Sequence, residues 1–415
     1  MGTRARVVGC GLAVLAVFGA IFAVVLGAWV IFAVKRASAV WPEGQAAPTL
    51  PDPGLPADPE AWDHLQAVIA VVPEGVDTST LGEALAVAGP PRAVGVRWED
   101  AEDCIAAMDR VVEGGGIVPP VLALDHAQPE FVKLLVAARL RLLRAWRYAE
   151  QDRDAEALAE LLRVERFGLL LEHAGGNLIL TMVGVAVQDA ALDEILDLLA
   201  ARPGVPSQAL VGLQAELEAG LALPQALPGA IAGECLGAEA TYEDMRHWDR
   251  QALFEATRPG AGMRGGLVRN DGCCPPFYDP DATIQLHRWR CARLVAAAEE
   301  PGGAWPVFEP LFSHGALDPG QYLDNPIGRI LLDISAPSFA SFQDKITRLH
   351  RRRLLVAVRV ALRRFTLQQP DGALPTTLGE LVPTFLAAVP EGVSFDPAAR
   401  TLSVVAGPEV LSVGL

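Results

Sequence analysis

Five cysteines lie beyond the first forty residues: Cys104, Cys235, Cys273, Cys274 and Cys291, with no Cys-x-x-Cys spacing among them. Thiols either pair or hold a soft metal, and outside a reducing compartment pairing is the default. Cys273 and Cys274 are neighbours and could bond each other only through a strained ring. The Gly- and Pro-rich run before them is free to reach elsewhere, so the expected bond joins one of them to Cys235 or Cys291. Zinc is the sharper alternative, because His287 and Cys291 fall at i and i+4 on one helix face with two thiols upstream. A structural zinc site takes four ligands, and adjacent residues rarely turn both sulfurs inward. No metal and no cofactor is therefore expected, and free buried thiols remain a third reading.

The second concentration of chemistry is cationic. From Lys345 to Arg364 the chain carries Lys345, Arg348, Arg351, Arg352, Arg353, Arg359, Arg363 and Arg364, with no acid among them. On a helix, Lys345, Arg348, Arg352, Arg359 and Arg363 share one face, while Ile346, Leu349, Val356 and Val360 share another. Two readings follow. The helix packs among acidic helices and its Arg form internal ion pairs, or it offers a basic strip to an acidic partner protein or wall polymer.

Catalytic signatures are otherwise scarce. The chain has no His-Glu-x-x-His, no Gly-x-Ser-x-Gly and no phosphate-cradling Gly-x-x-x-x-Gly-Lys. Gly260 to Gly265 spells Gly-x-Gly-x-x-Gly, yet a helix precedes it and a loop follows, the reverse of what dinucleotide binding needs. Seven His are scattered, and Glu172-His173 before Gly175-Gly176 reads as a helix C-terminus. Asp193, Glu194 and Asp197, and Glu239, Glu243 and Asp244, are local acidic groups. A glycoside hydrolase needs two carboxylates about 5–10 Å apart across a cleft, whereas helix-borne acids are usually solvated.

These groups sit on a chain of 415 residues, 51% hydrophobic and 20% charged, which excludes a disordered protein. With 34 basic and 50 acidic residues the net charge is −16, which argues against nucleic acid as a partner. Residues 1–36 form a short basic tail and an apolar run, uncharged from Val7 to Val34. That run is long enough for a bilayer of ~30 Å, so a single transmembrane helix over residues 7–34 is expected. Lys35 and Arg36 separate it from Ala37-Ser38-Ala39, which favours an uncleaved signal-anchor over a signal peptide. Residues 37–59, with Pro42, Pro48, Pro51, Pro53, Pro56 and Pro59, read as an extended stalk. Beyond the four basic residues of 1–36 the chain holds 30 basic and 50 acidic side chains, net −20. A stalked acidic body of this kind is expected outside the cytoplasm of a bacterium, on the inner membrane.

The body reads as helical. Residues 60–258 form helical hairpins: Asp58-Pro59-Glu60 starts a helix to about Val72, Trp98–Glu113 carries another, and Pro129 opens a third through Trp146. Further helices cover Ala155–Leu171, Leu178–Leu199, one capped by Ser207, and Leu227–Ala256. Short breaks between long helices predict a helical-hairpin bundle or α-solenoid. Residues 259–280 are a Gly/Pro/Cys loop, and 281–369 is helical again, ending in the basic helix. Residues 370–415 form a small α/β tail: a short helix over Leu378–Leu386, then a β-hairpin of Val393–Phe395 and Thr401–Val405 around Asp396-Pro397.

Taken in order, anchor, stalk, hairpins, Asn325-Pro326-Ile327-Gly328, Arg-rich helix and Leu374-Pro375…Leu378-Gly379-Glu380-Leu381-Val382-Pro383 resemble a family of uncharacterised membrane-anchored helical proteins of high-GC bacteria. The similarity spans roughly residues 58–405 in layout. The closing Leu-Pro-x-x-Leu-x-x-Leu-Val-Pro element is also similar to the tail of type II secretion pseudopilins. Pseudopilins carry a Glu just inside the apolar helix, and no acid occurs between Met1 and Val40, so fibre assembly is not implied. The resemblance implies no activity. The expected role is a membrane-anchored extracytoplasmic scaffold or interaction subunit with an envelope protein partner. The alternative is an envelope hydrolase using a carboxylate pair between helices.

Overall fold

The computed structural model describes residues 46–47, 49–50, 54–76, 81, 85, 98–120, 130–247, 279–300, 305–306, 340–406 and 409–415. The apolar run 7–34, most of the stalk, Cys273, Cys274, Gly260–Gly265 and Asn325–Gly328 lie outside the described residues. Among the described residues no helix is long and apolar enough to cross a membrane.

The described chain is mainly helical with a small antiparallel sheet at its end. Helix α1 (Ala61–Val71) packs on α2 (Trp98–Gly114). Then α3 (Val132–Glu150), α4 (Asp154–Glu172) and α5 (Leu178–Ala201) follow, each packed on the one before. The turns between them are short. Asp152 adopts φ +58° in the first, and Gly175 and Gly176 take positive φ in the second. Asn177 then caps α5, its side-chain oxygen accepting from the Leu180 amide at 3.0 Å. Helices α6 (Ser207–Leu221), α7 (Leu227–Asp244) and α8 (Pro280–Glu299) continue the series, with α7 packed on α8.

The long helix α9 (Ala340–Gln368) returns across α5 and α6. A solenoid touches only its sequence neighbours. This contact between distant segments makes the body a bundle, which resolves the two predicted architectures.

Helix α9 is apolar on two sides, which explains its depth. Ile346, Leu349, Val356 and Val360 join the core of the bundle. Leu355, Val358, Ala361 and Leu362 join a second core with Leu378, Leu381, Phe385, Leu402 and Val404 of the tail. The tail holds a 3-10 turn (Leu378–Leu381), closed by a Thr377/Glu380 capping box, in place of the longer helix expected. It also holds three strands where two were expected: β3 (Val393–Asp396), β4 (Thr401–Ala406) and β5 (Glu409–Gly414). Their register sets Phe395 opposite Leu402 and Leu402 opposite Val413. Strand β5 offers the core only its alternate residues and leaves Val410 exposed, a weak signal in sequence.

The N-terminal boundary also moves. A two-residue strand, β1 (Ala57–Asp58), pairs in parallel with β2 (Gly116–Ile117), and the Gly116 amide donates to the Pro56 carbonyl at 2.7 Å. A Cβ on Gly54 would stand 2.8 Å from Pro224. The end of the expected stalk is therefore docked on the bundle. Glu60 takes the N-cap place of α1 in place of Asp58, whose Oδ1 accepts from the Glu60 amide at 2.9 Å.

Candidate functional site

The crossing of α4 and α5 is backbone to backbone. A Cβ on Gly168 would meet the Gly184 carbonyl oxygen at 2.9 Å, and one on Gly184 would run into the backbone of Glu172. So close an approach brings the polar neighbours of these glycines together inside the bundle, and α9 adds to them. Arg353 is fully buried, its Nε donating to Glu165 Oε1 at 3.0 Å and its Nη2 to Gln188 Oε1. Gln188 in turn donates to Glu172 Oε2 at 2.8 Å, and Arg353 Nη1 reaches the Gly220 carbonyl at 3.4 Å. Burial pushes the Glu165 carboxyl above the usual range, against the pull of Arg353. His350, beside this cluster, has its pKa lowered by burial and by Arg353. The charge is satisfied on all sides. This is an internal support, with its arginine, glutamate and glutamine side chains all buried.

A second interior cluster holds α2, α3 and α4. Buried Arg141 donates to Glu160 at 2.8 Å and to Asp109 at 2.6 Å, and Arg144 donates to the same Glu160 at 2.6 Å.

The expected basic strip is thereby divided. Lys345 is exposed, and among the described residues it has no ion pair. Arg348 pairs with Glu409 of β5 at 3.3 Å. Arg352 pairs with Asp189 of α5 at 2.7 Å and also with Asp193. Arg363 donates to the Pro203 carbonyl. Arg359 has no carboxylate within ion-pair distance among the described residues. The five do not form one exposed strip, because α9 is covered on two sides. Arg353 belongs to the cationic run but not to the expected strip, and its spacing from Leu349 and Val360 puts it on the apolar face.

One cavity of about 220 Å³ opens where these helices end. It is lined by Leu199 and Ala200 of α5, Pro203, Arg359, Leu362, Arg363 and Thr366 of α9, Leu374, Arg400 and Leu415. Arg359, Leu362, Arg363 and Thr366 fall at i, i+3, i+4 and i+7, so a single helical face supplies one wall. Burial draws the Arg359 pKa down, Arg363 adds to this, and Asp197 opposes it. Arg400 closes the β3–β4 turn at φ +54°, a backbone conformation that favours glycine. Asp396 builds that turn by accepting from the Ala398 and Ala399 amides, both at 2.9 Å. No acidic side chain lines the cavity.

The cysteines correct the expectation. Cys235 of α7 is bonded to Cys291 of α8, 56 residues apart in sequence, so neither is open to Cys273 or Cys274. Packing of α7 on α8 sets this pairing, and no spacing rule announces it. His287 stands beside the bond: its Nε2 lies 2.8 Å from the Cys235 carbonyl oxygen and its ring meets Tyr242 edge-on at 5.1 Å. Burial lowers its pKa. With Cys235 and Cys291 it forms a compact Cys/His/Cys group, but both sulfurs are spent in the bond. Cys104 is a free, buried thiol pushed up to about 12.

Four of the acidic side chains are likewise occupied. Asp193 faces Arg352, Glu239 binds Arg288 at 2.5 Å, and Glu243 binds Arg246 at 2.9 Å. Glu194 is buried, accepts from the Trp146 indole at 2.5 Å and is pushed up to about 7 by burial and by Asp197.

Comparisons with family models, with curated proteins and with solved structures find no match to this chain.

Proposed function

We propose that the chain is a membrane-anchored, extracytoplasmic interaction subunit of the bacterial cell envelope. Residues 7–34 are its anchor and the bundle is its scaffold. The observation that carries this reading is the buried Cys235–Cys291 bond. Structural disulfides form and persist in oxidising compartments, and this one ties two helices of the body. The anchor and the excess of acid over base in the body agree with it. The interaction role draws on the arginine-lined cavity, which carries binding groups and no acid–base pair.

Topology and oxidation state are tested together. A reporter active only after export, fused after residue 120, is expected to work, and one active only in the cytoplasm is expected to stay silent. The reverse pattern overturns the reading. Unreduced peptides from the native envelope should contain Cys235 joined to Cys291. Reducing that bond is expected to cost up to about 4 kcal/mol of stability, from the entropy of the loop it closes.

A further inference from the structure

We propose that the cavity between the ends of α5 and α9 and the β3–β4 turn is a binding site for a small aliphatic carboxylate, its carboxylate held by Arg359, Arg363 and Arg400 and its chain by Leu199, Leu362, Leu374 and Leu415.

The charge balance is the first reason. Acids outnumber bases 50 to 34 in this chain, and the arginines deeper in the bundle are matched to carboxylates. Arg359, Arg363 and Arg400 line the cavity together, and no side-chain carboxylate lines it with them. Arg359 and Arg400 have no carboxylate within ion-pair distance among the described residues, and Arg363 donates to a backbone carbonyl. Asp197 acts on Arg359 from a distance, outside the lining. Cations that share the wall of one cavity favour an anion between them. Arginine is suited to a carboxylate, because its planar fork of N–H donors matches the two oxygens.

The lining is the second reason. A site for free phosphate or sulfate would be polar throughout, but here leucines, Pro203 and Ala200 make up the remaining wall, with Thr366 as the one hydroxyl. Mostly apolar surface with a few convergent polar groups is the usual make-up of a small-molecule site. A volume of about 220 Å³ admits a short aliphatic chain. Arg400 is the third reason. A non-glycine residue held at φ +54° is costly, and such conformations cluster at ligand clamps. The inference does not depend on which side of a membrane the body occupies.

The test titrates the full-length chain in nanodiscs with octanoate, octanol and acetate by calorimetry, with empty nanodiscs as the blank. Octanoate is expected to bind saturably, one per chain. Octanol lacks the charge and acetate lacks the chain, so each should bind about tenfold more weakly or worse, as loss of a charge-assisted contact or of apolar burial predicts. Arg359→Gln should weaken octanoate by at least about tenfold. Arg400→Gln lies in an exposed turn, leaves the bundle untouched and should weaken octanoate to a similar degree. Absence of octanoate binding overturns the proposal. So does octanol or acetate binding as tightly as octanoate, or full affinity in both folded variants.

Discussion

Arg353 and Arg359 stand six residues apart on the same helix, yet they live under different rules. Arg353 has lost all contact with water and is held by Glu165, Gln188 and the Gly220 carbonyl. Arg359 is half-buried at the rim of a cavity and has no carboxylate in reach among the described residues. A guanidinium fully removed from water must find its countercharge inside the protein, or it destabilises the fold by several kcal/mol. One that keeps part of its hydration can remain available to a ligand. The neighbourhood makes the difference: Arg353 enters at the α4–α5 crossing, where Gly168 and Gly184 have already gathered acceptors. Arg359 emerges where α5 ends and the tail begins.

The comparison breaks first at Arg353. Arg353→Met would strand Glu165 and Gln188 without their partner, and unfolding in urea should show a loss of about 3–5 kcal/mol. Adding Glu165→Leu should restore most of it, because the pair is then replaced by apolar packing. A loss below about 1 kcal/mol in the single variant would show that water reaches the cluster.

Glu194 sharpens the contrast as a buried acid held by an indole in place of a cation. Its pKa is raised to about 7, so between about pH 4.5 and 7 the folded state keeps a proton that the unfolded chain gives up. Stability from this group is therefore present at low pH and lost as pH rises through that window, by up to about 3 kcal/mol. His287 and His350 have lowered pKa values and act in the opposite sense, adding stability as pH rises towards the usual imidazole range. The informative quantity is thus the difference between the wild type and Glu194→Gln. The variant should lose the falling component and keep the rising one. Parallel curves for the two proteins would place Glu194 in contact with solvent.

The smallest effects belong to the rim. Arg352 faces Asp189, which is half-buried, and Asp193, which is exposed, so Arg352→Ala should cost at most about 1 kcal/mol. Arg359→Leu removes a cation that no described carboxylate holds, and its melting temperature should stay level with the wild type or rise. A clear fall would reveal an internal partner for Arg359 and close the cavity to ligands.

Much of the fold was legible. Trp98–Glu113 was expected and Trp98–Gly114 is found, and Leu178–Leu199 was expected where α5 runs Leu178–Ala201. These bounds come from local signals, namely apolar spacing, the Gly114-Gly115-Gly116 and Gly175-Gly176 breaks, and Arg202-Pro203-Gly204. The candidate site was legible only as a list. The cationic helix was found, but its five expected binding residues divide among exposed solvent, ion pairs, a backbone carbonyl and the cavity rim. Arg400 and Leu415, from the far end of the chain, carried no signal that they would meet Arg359.

The sequence by itself determined what depends on neighbours along the chain: helix periodicity, the breaks, the β3–β4 turn at Asp396-Pro397, and the excess of acid. Tertiary structure decided which Arg is buried, which cysteines pair, where the end of the stalk docks, and that the series of helices closes into a bundle. The physical reason is range. A helix forms from contacts three and four residues apart, which a sequence displays directly. Burial of a charge or closure of a disulfide depends on groups that meet only after folding, here from Glu165 to Arg353 and from Cys235 to Cys291.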